Sequence, residues 1–222
     1  MELIREPKPG DLIDARMTMY PSRLRVVDGE LALDDPATTY YGYVVRGQAR
    51  VHTKLLDALA HPGTFFCLPG PGELHAEGVV VVIERLGYRG LPQLGSIEAE
   101  GRLAYIDGCS DTVLVAPARL GDPVLNFLHF PPGIEQSVHS HPSIRLGVVA
   151  RGGGEAYGPG PKDEPWHLPL TPGSVFLLSP HEMHAFRTTT GRSSMDVIAY
   201  HPDSDWGPTD GEHPMLNRTY RR

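Results

Sequence analysis

The sequence predicts an all-β chain made of two similar units, and three observations carry that expectation. Glycine and proline are dense, 25 and 22 of 222 residues; that is about a fifth of the chain against roughly an eighth in average usage. Such punctuation argues against a helical bundle and for short strands between many turns. Candidate strands are short, rich in β-branched and aromatic residues, and bounded by Gly, Pro and Asp. Finally, the chain repeats itself. Arg46-Gly47 and Arg151-Gly152 follow similar apolar runs, and Pro62-Gly63 and Pro172-Gly173 each precede another. Two ordered matches at strand–turn positions imply a duplicated β unit.

The elements follow in order. In the first half, strands are predicted over Thr39–Val45, Ala49–Thr53, Thr64–Leu68 and Val79–Leu86. In the second half they are predicted over Thr112–Ala116, Val124–Phe130, Ser137–His141, Arg145–Ala150, Glu155–Tyr157, Ser174–Leu178, Ala185–Thr189 and Met195–Tyr200. Lys54–Ala60 is the one helix-like stretch, a single turn or part of a loop. Gly90–Gly101 reads as the junction, dividing the chain into 1–100 and 101–222. Gly158–Pro165 is too rich in Pro and Gly for regular structure. The tail from Pro202 carries Trp206, Met215 and Leu216, which call for something to pack against.

Charge and cysteine content narrow the class. Twenty basic and 27 acidic residues give a net charge of −7, and no basic stripe suits a nucleic-acid backbone. The run Val79–Ile83 is far shorter than the roughly 20 residues of a membrane span. The N-terminus has no apolar core of a signal peptide. Cys67 and Cys109 make neither a disulfide framework nor a cysteine zinc site. The expectation is a cytoplasmic protein with two reduced thiols, acting on a small molecule.

The chemistry concentrates in Gly133-Ile-Glu-Gln-Ser-Val-His139-Ser-His141-Pro-Ser-Ile-Arg145. Side chains alternate faces along a strand, so His139 and His141 point the same way. Neutral imidazole is the commonest protein ligand for Zn, Fe, Ni and Cu. That pair alone is a weak signal; a third histidine, His184, arriving after a Pro-Gly turn and a strand, makes the indication of a metal site much stronger.

These segments resemble the two motifs of the cupin superfamily. Gly133, His139, His141 and Gly152 fall in register with the first motif, and Gly173 and His184 with the second. With the repeat, the resemblance extends over most of the chain. It implies a bicupin: two tandem jelly-roll barrels, 1–100 a degenerate barrel and 101–222 a metal-binding one. The glutamate ligand of the family is replaced by Arg145, which offers only donors and cannot bind a cation. The resemblance therefore implies a site of His139, His141 and His184 with open positions. Iron(II) is the first choice of metal, with Zn, Ni or Mn as alternatives. Arg145 either anchors a substrate carboxylate or pairs with Glu135 or Asp196 to close the barrel mouth.

In the first half the positions matching His139 and His141 are Asp34 and Pro36, and Tyr40 stands opposite Arg145. Only His75 would match His184, so the first barrel is expected to hold no metal. Tyr157 and Phe186 should share the inward face, with Tyr157 as a candidate substrate-facing phenol or as core. Gln136 is a candidate pocket residue, Glu182 a fourth ligand or a solvated turn residue, His181 a rim residue, and Trp166-His167 a candidate entrance. The acidic stretch after His201 does not fit a calcium loop.

Three functions follow. The first is an iron(II) dioxygenase acting on a small carboxylate. The second is a non-redox isomerase or lyase using Zn, Ni or Mn as a Lewis acid. The third is a non-catalytic ligand-binding barrel. Pairing of sheet edges would make a homodimer.

Overall fold

A computed structural model of the protein describes residues 1–10, 12–160, 164–191, 194–204 and 220–221. Trp206, Met215 and Leu216 lie outside the described residues. Strands dominate; the one helical element among the described residues is the 3-10 turn Ile106–Gly108. No helix among them is long and apolar enough to cross a membrane. The chain forms two compact units, one of residues 6–97 and one of residues 1–5 with 98–222.

That division departs from a cut at residue 100 in two respects: the boundary falls between residues 97 and 98, and residues 1–5 join the C-terminal part. Glu2–Ile4 pairs antiparallel with Val175–Leu177 and so belongs to the C-terminal unit. The physical reason is an edge: without a neighbour there, Val175–Leu178 would leave its outer N–H and C=O groups open.

The N-terminal unit is one coiled sheet. Its strands lie in the order Leu12–Ala15, Ser22–Ala32, Gly72–Arg85, Thr39–Thr53, Thr64–Pro69, Gln93–Ser96. Asp57–Ala60 adds to Thr39–Thr53 and forms a strand where the sequence suggested a helical turn. Its pairing with Ala49–His52 supplies the backbone partners that a lone turn would lack. Ser22–Ala32 escaped the sequence reading although it alternates: Leu24 and Val26 are buried, while Arg23 and Arg25 lie on the other face. The enclosed core is apolar, including Leu33, Tyr40, Val44, Phe66, Leu68, Val80 and Val82.

The C-terminal unit has a seven-stranded sheet. Its order is Glu2–Ile4, Val175–Leu178, Arg145–Gly152, Met195–His201, Val124–Phe130, Ser110–Val115, Leu103–Ala104. A three-stranded sheet, Trp166–Leu170, Gly154–Gly158, Ala185–Arg187, completes the walls. Tyr220–Arg221 pairs with His139–Ser140. Phe130, Val149, Phe176, Phe186, Met195 and Val197 fill the interior.

The repeat in the sequence is a repeat of hydrogen-bonded devices. Gly42 sits opposite Phe66, and Gly147 opposite Phe176. In each case a Cβ on the glycine would strike the ring, at 2.0 and 2.3 Å. Register slips between Val44 and Arg46, and between Val149 and Arg151. After each slip comes a glycine of positive φ, Gly47 at 82° and Gly152 at 65°. The Gly63 N–H donates to Val44 O, and the Gly173 N–H to Val149 O. The same bulge and the same turn therefore bend both barrels.

Candidate metal centre

His139 and His184 lie 45 positions apart in sequence and are joined through the backbone. The N–H of each donates to the carbonyl of the other, both at 2.9 Å. Such a mutually bonded antiparallel pair sets its two side chains on one face. His141 joins from the same strand face two residues on, and the His181 N–H donates to its carbonyl at 2.6 Å. The ring centroids stand 4.5 Å apart for His139–His184 and 5.2 Å for each of the other two pairs. A candidate ligand atom from each of the three lies within 4.8 Å of the others.

Two of the rings are pre-set for a metal. His139 Nδ1 lies 2.9 Å from Ser137 O, and His184 Nδ1 lies 2.8 Å from Glu182 O. A carbonyl only accepts, so Nδ1 carries the proton in both and Nε2 is left bare. Burial, then the Arg145 charge, lowers the His141 pKa well below the usual 6.5; burial, then the neighbouring His139, does so for His184. Neutral, buried imidazoles with fixed tautomers fit a divalent transition metal.

Arg145 is almost fully buried and lines the same cavity. Its Nη1 donates to Ser143 Oγ at 2.6 Å and to Ile144 O at 2.9 Å. Among the described residues it ion-pairs with Asp203, 3.7 Å away, whose carboxylate also accepts from Ser143 Oγ. The pairing considered with Glu135 or Asp196 does not form. Asp196 holds His129 at 2.7 Å and Arg151 at 2.6 Å, and Glu135 lies 3.9 Å from Arg187.

Tyr157 requires a correction. Ala156, not Tyr157, is paired with Phe186 and shares its inward face. Tyr157 is absent from the cavity wall. Its hydroxyl donates to Gln136 O, its ring stacks on His167, and the Arg187 guanidinium lies over it at 5.1 Å. Register decides this: side chains alternate, so moving one residue along the strand turns the phenol to the other face.

The remaining candidates sort clearly. Gln136 is buried in the cavity wall, where its Oε1 accepts from the Phe186 N–H. Glu182 caps its own turn by accepting from the Ser179 N–H, and ion-pairs with the Met1 ammonium. His181 is exposed, with φ at 59°. His167 sits beside Tyr157, away from the three histidines. Burial pushes the Cys67 and Cys109 thiols up to about 12, so both stay protonated and inert.

His75 does not stand where His184 stands. By register it pairs with Glu30, as Arg187 pairs with Glu135. The backbone counterpart of the His139–His184 pair is Leu33–Gly72, with N–H to carbonyl bonds of 2.9 and 3.2 Å. His75 is 54% exposed, near Glu30 and Glu77.

One residue was missed. His201 is buried in the same cavity, its ring 6.2 Å from that of His141. The signal was alternation: Met195, Val197, Ala199 and His201 follow with period two along one strand face. The cavity closes to about 20 Å³, and its other walls include Leu128, Phe130, Phe176 and Leu178.

No family model matches this sequence, and no curated protein matches it at a significant level. Solved structures do. A cupin 2 conserved barrel domain protein from Leptotrichia buccalis aligns over 90% of this chain and 95% of its own, at 15% identity and a TM-score of 0.61. Oxalate decarboxylase from Bacillus subtilis aligns over 100% of this chain and 79% of its own, at 10% identity and a TM-score of 0.61. The chain has the bicupin fold. Salicylate 1,2-dioxygenase from Pseudoaminobacter salicylatoxidans shares this cupin architecture over 82% of this chain and 70% of its own, at 11% identity and a TM-score of 0.58. A fold of this kind hosts many chemistries, so function must be argued from the site.

Proposed function

We propose that this bicupin is a metal-dependent enzyme of small carboxylates, with its metal on His139, His141 and His184 of the C-terminal barrel. The observation that carries the reading is the set of three buried imidazoles, two with Nδ1 committed to a backbone carbonyl. Three ligands leave open positions for exogenous molecules. Iron(II) is the first choice, and the reaction is an oxygen-dependent cleavage or oxidation. Bound there, the ion would supply Lewis acidity and, as iron, dioxygen activation.

The chain's own residues do the rest. Arg145 sets a positive charge in the cavity wall, attractive to a carboxylate. Phe130, Phe176, Phe186 and Leu178 exclude bulk water, which strengthens that attraction. The cavity is small, near 20 Å³, which favours a substrate of few heavy atoms. Tyr157 has no part in this reading.

A second reading keeps the metal and drops the redox step: a lyase or isomerase on Mn, Zn or Ni. The likeness to oxalate decarboxylase, a protein with Mn(II) centres, favours it. Elemental analysis of protein purified without chelators separates the two. About one equivalent of iron, with dioxygen consumed in the presence of small carboxylates, supports the dioxygenase. Manganese, zinc or nickel with oxygen-independent turnover supports the lyase. No metal after reconstitution would sink both and leave a binding barrel. The reading also expects a cytoplasmic homodimer, the latter checked by light scattering.

A further inference from the structure

The strand Met195–His201 turns Met195, Val197 and Ala199 into the apolar interior. His201 continues that face and ends it with a polar ring. The ring is buried, and among the described residues neither Nδ1 nor Nε2 has a hydrogen-bond partner. Buried polar groups are nearly always paired, and an exception needs a reason. An imidazole left unpaired in a cavity wall is costly unless something entering the cavity pairs with it.

The N-terminal barrel shows the alternative. There Tyr40 pairs with Glu84, and Tyr41 with Ile83. In the C-terminal barrel Leu146 pairs with Tyr200, and continuing that register by one residue sets Arg145 opposite His201. Glu84 thus holds the register position of His201. It is equally buried, but Arg23 and Arg25 donate to it, each Nε at 2.5 Å. The same position is satisfied from within in one barrel and left open in the other.

His201 is not placed as a ligand. The group whose ligand atoms converge contains His139, His141 and His184 and not His201. Burial and the nearby Arg145 guanidinium disfavour a charge on this ring. A neutral imidazole offers one N–H donor and one bare nitrogen. That pairing suits an oxygen that both accepts and donates, such as a hydroxyl, or a carboxylate oxygen with a proton-bearing neighbour.

We propose that His201 is the substrate-contacting histidine of the pocket, hydrogen-bonded to a hydroxyl or carboxylate oxygen of a small hydroxy acid whose carboxylate lies toward Arg145. This rests on the metal reading above. The test uses zinc-loaded full-length protein, which is redox-silent, with glycolate as the probe and calorimetry as the readout. Wild type, His201→Phe and His201→Gln are compared, with melting curves to establish that each is folded.

Zinc content should stay at about one equivalent in all three. Glycolate affinity should fall about 10- to 100-fold in His201→Phe, the loss expected for one hydrogen bond to a charged ligand. His201→Gln, which keeps a donor and an acceptor, should stay within about threefold of wild type. If His201→Phe fails to fold, His201→Leu takes its place, and a folded His201→Gln must still bind glycolate. Loss of zinc from the His201 variants would make His201 a ligand and overturn the proposal. Unchanged glycolate affinity, equal loss in both variants, or no glycolate binding by zinc-loaded wild type would overturn it as well. Wild type that takes up no zinc would sink the metal reading and this inference together, whereas zinc uptake with unchanged affinity sinks this inference alone.

Discussion

The two barrels share a scaffold and differ in what they hang on it. Both bend at the same bulge, and both seat a phenylalanine ring over a glycine. Both tie two distant segments together by one mutually bonded backbone pair. In the N-terminal barrel that pair is Leu33 with Gly72, and the side chain it delivers is core. In the C-terminal barrel it is His139 with His184, and the side chains it delivers face each other in the candidate metal centre. Tyr40 and Arg145 each stand opposite a leucine, Leu68 and Leu178. The fold therefore fixes positions, and the residues at these three decide whether a barrel is a filled core or a site.

The largest expected effect tests which barrel holds the metal. His184→Ala removes one of the three proposed ligands, and the loss should exceed the roughly 10- to 100-fold seen when a ligand's outer hydrogen-bond partner is removed. Metal content by elemental analysis should fall from about one equivalent to near zero. His75→Ala, at the exposed position once matched to His184, should leave it unchanged. Metal lost on changing His75 instead would reverse the assignment of the two barrels.

Next in size is the exchange of roles at one backbone position. Leu33 is 1% exposed within the apolar cluster, so Leu33→Ala should cost about 2–5 kcal/mol by lost burial and a cavity. His139→Ala should cost less in metal-free protein, because an imidazole brings a desolvation penalty of its own. The ranking should invert in metal-loaded protein, where His139 carries binding free energy that stabilises the fold. Denaturant melts with and without chelator check this; a larger loss for His139→Ala without metal would count against it.

Much of this contrast was legible in the residues. Period two put His139 and His141 on one face, and the paired Pro-Gly turns brought His184 to them. The repeat gave the duplicated barrel. What was not legible was register. A one-residue difference turned Tyr157 outward and Ala156 inward, and alignment by Pro-Gly spacing matched His75 to His184 when the backbone matches Gly72. Register is set by which N–H meets which carbonyl across strands, and the spacing of motifs along one strand does not fix it. Glu2–Ile4 was beyond reach for a related reason: three residues signal no partner, and its pairing with Val175–Leu177 spans most of the chain. His201 was within reach of simple alternation, which carries the Met195–His201 face one residue past the predicted strand end at Tyr200.

The smallest expected effect is a pH dependence confined to the C-terminal barrel of the metal-free protein. His141, His184 and His201 all have pKa values lowered well below 6.5, chiefly by burial. Unfolded, each takes up a proton near pH 6.5; folded, none does until the pH is much lower. Below about 6.5 the unfolded state thus binds more protons, and stability falls as pH falls. Asp111 opposes them. Burial raises its pKa to about 7, against the hydrogen bonds from Asn126 at 2.9 and 2.7 Å. Its contribution is full below the unfolded value of about 4 and is lost as pH rises toward 7. Between pH 5 and 6.5 three histidines outweigh one carboxyl, so the net slope should favour higher pH. Asp111→Asn should steepen it by removing the opposing proton. Trp166 lies in a strand of the C-terminal barrel and neither tryptophan falls within residues 6–97, so tryptophan-fluorescence melts do not report the N-terminal barrel. A flat profile from pH 7 to 5 would mean that the three imidazoles gain protons as easily folded as unfolded, which their burial forbids.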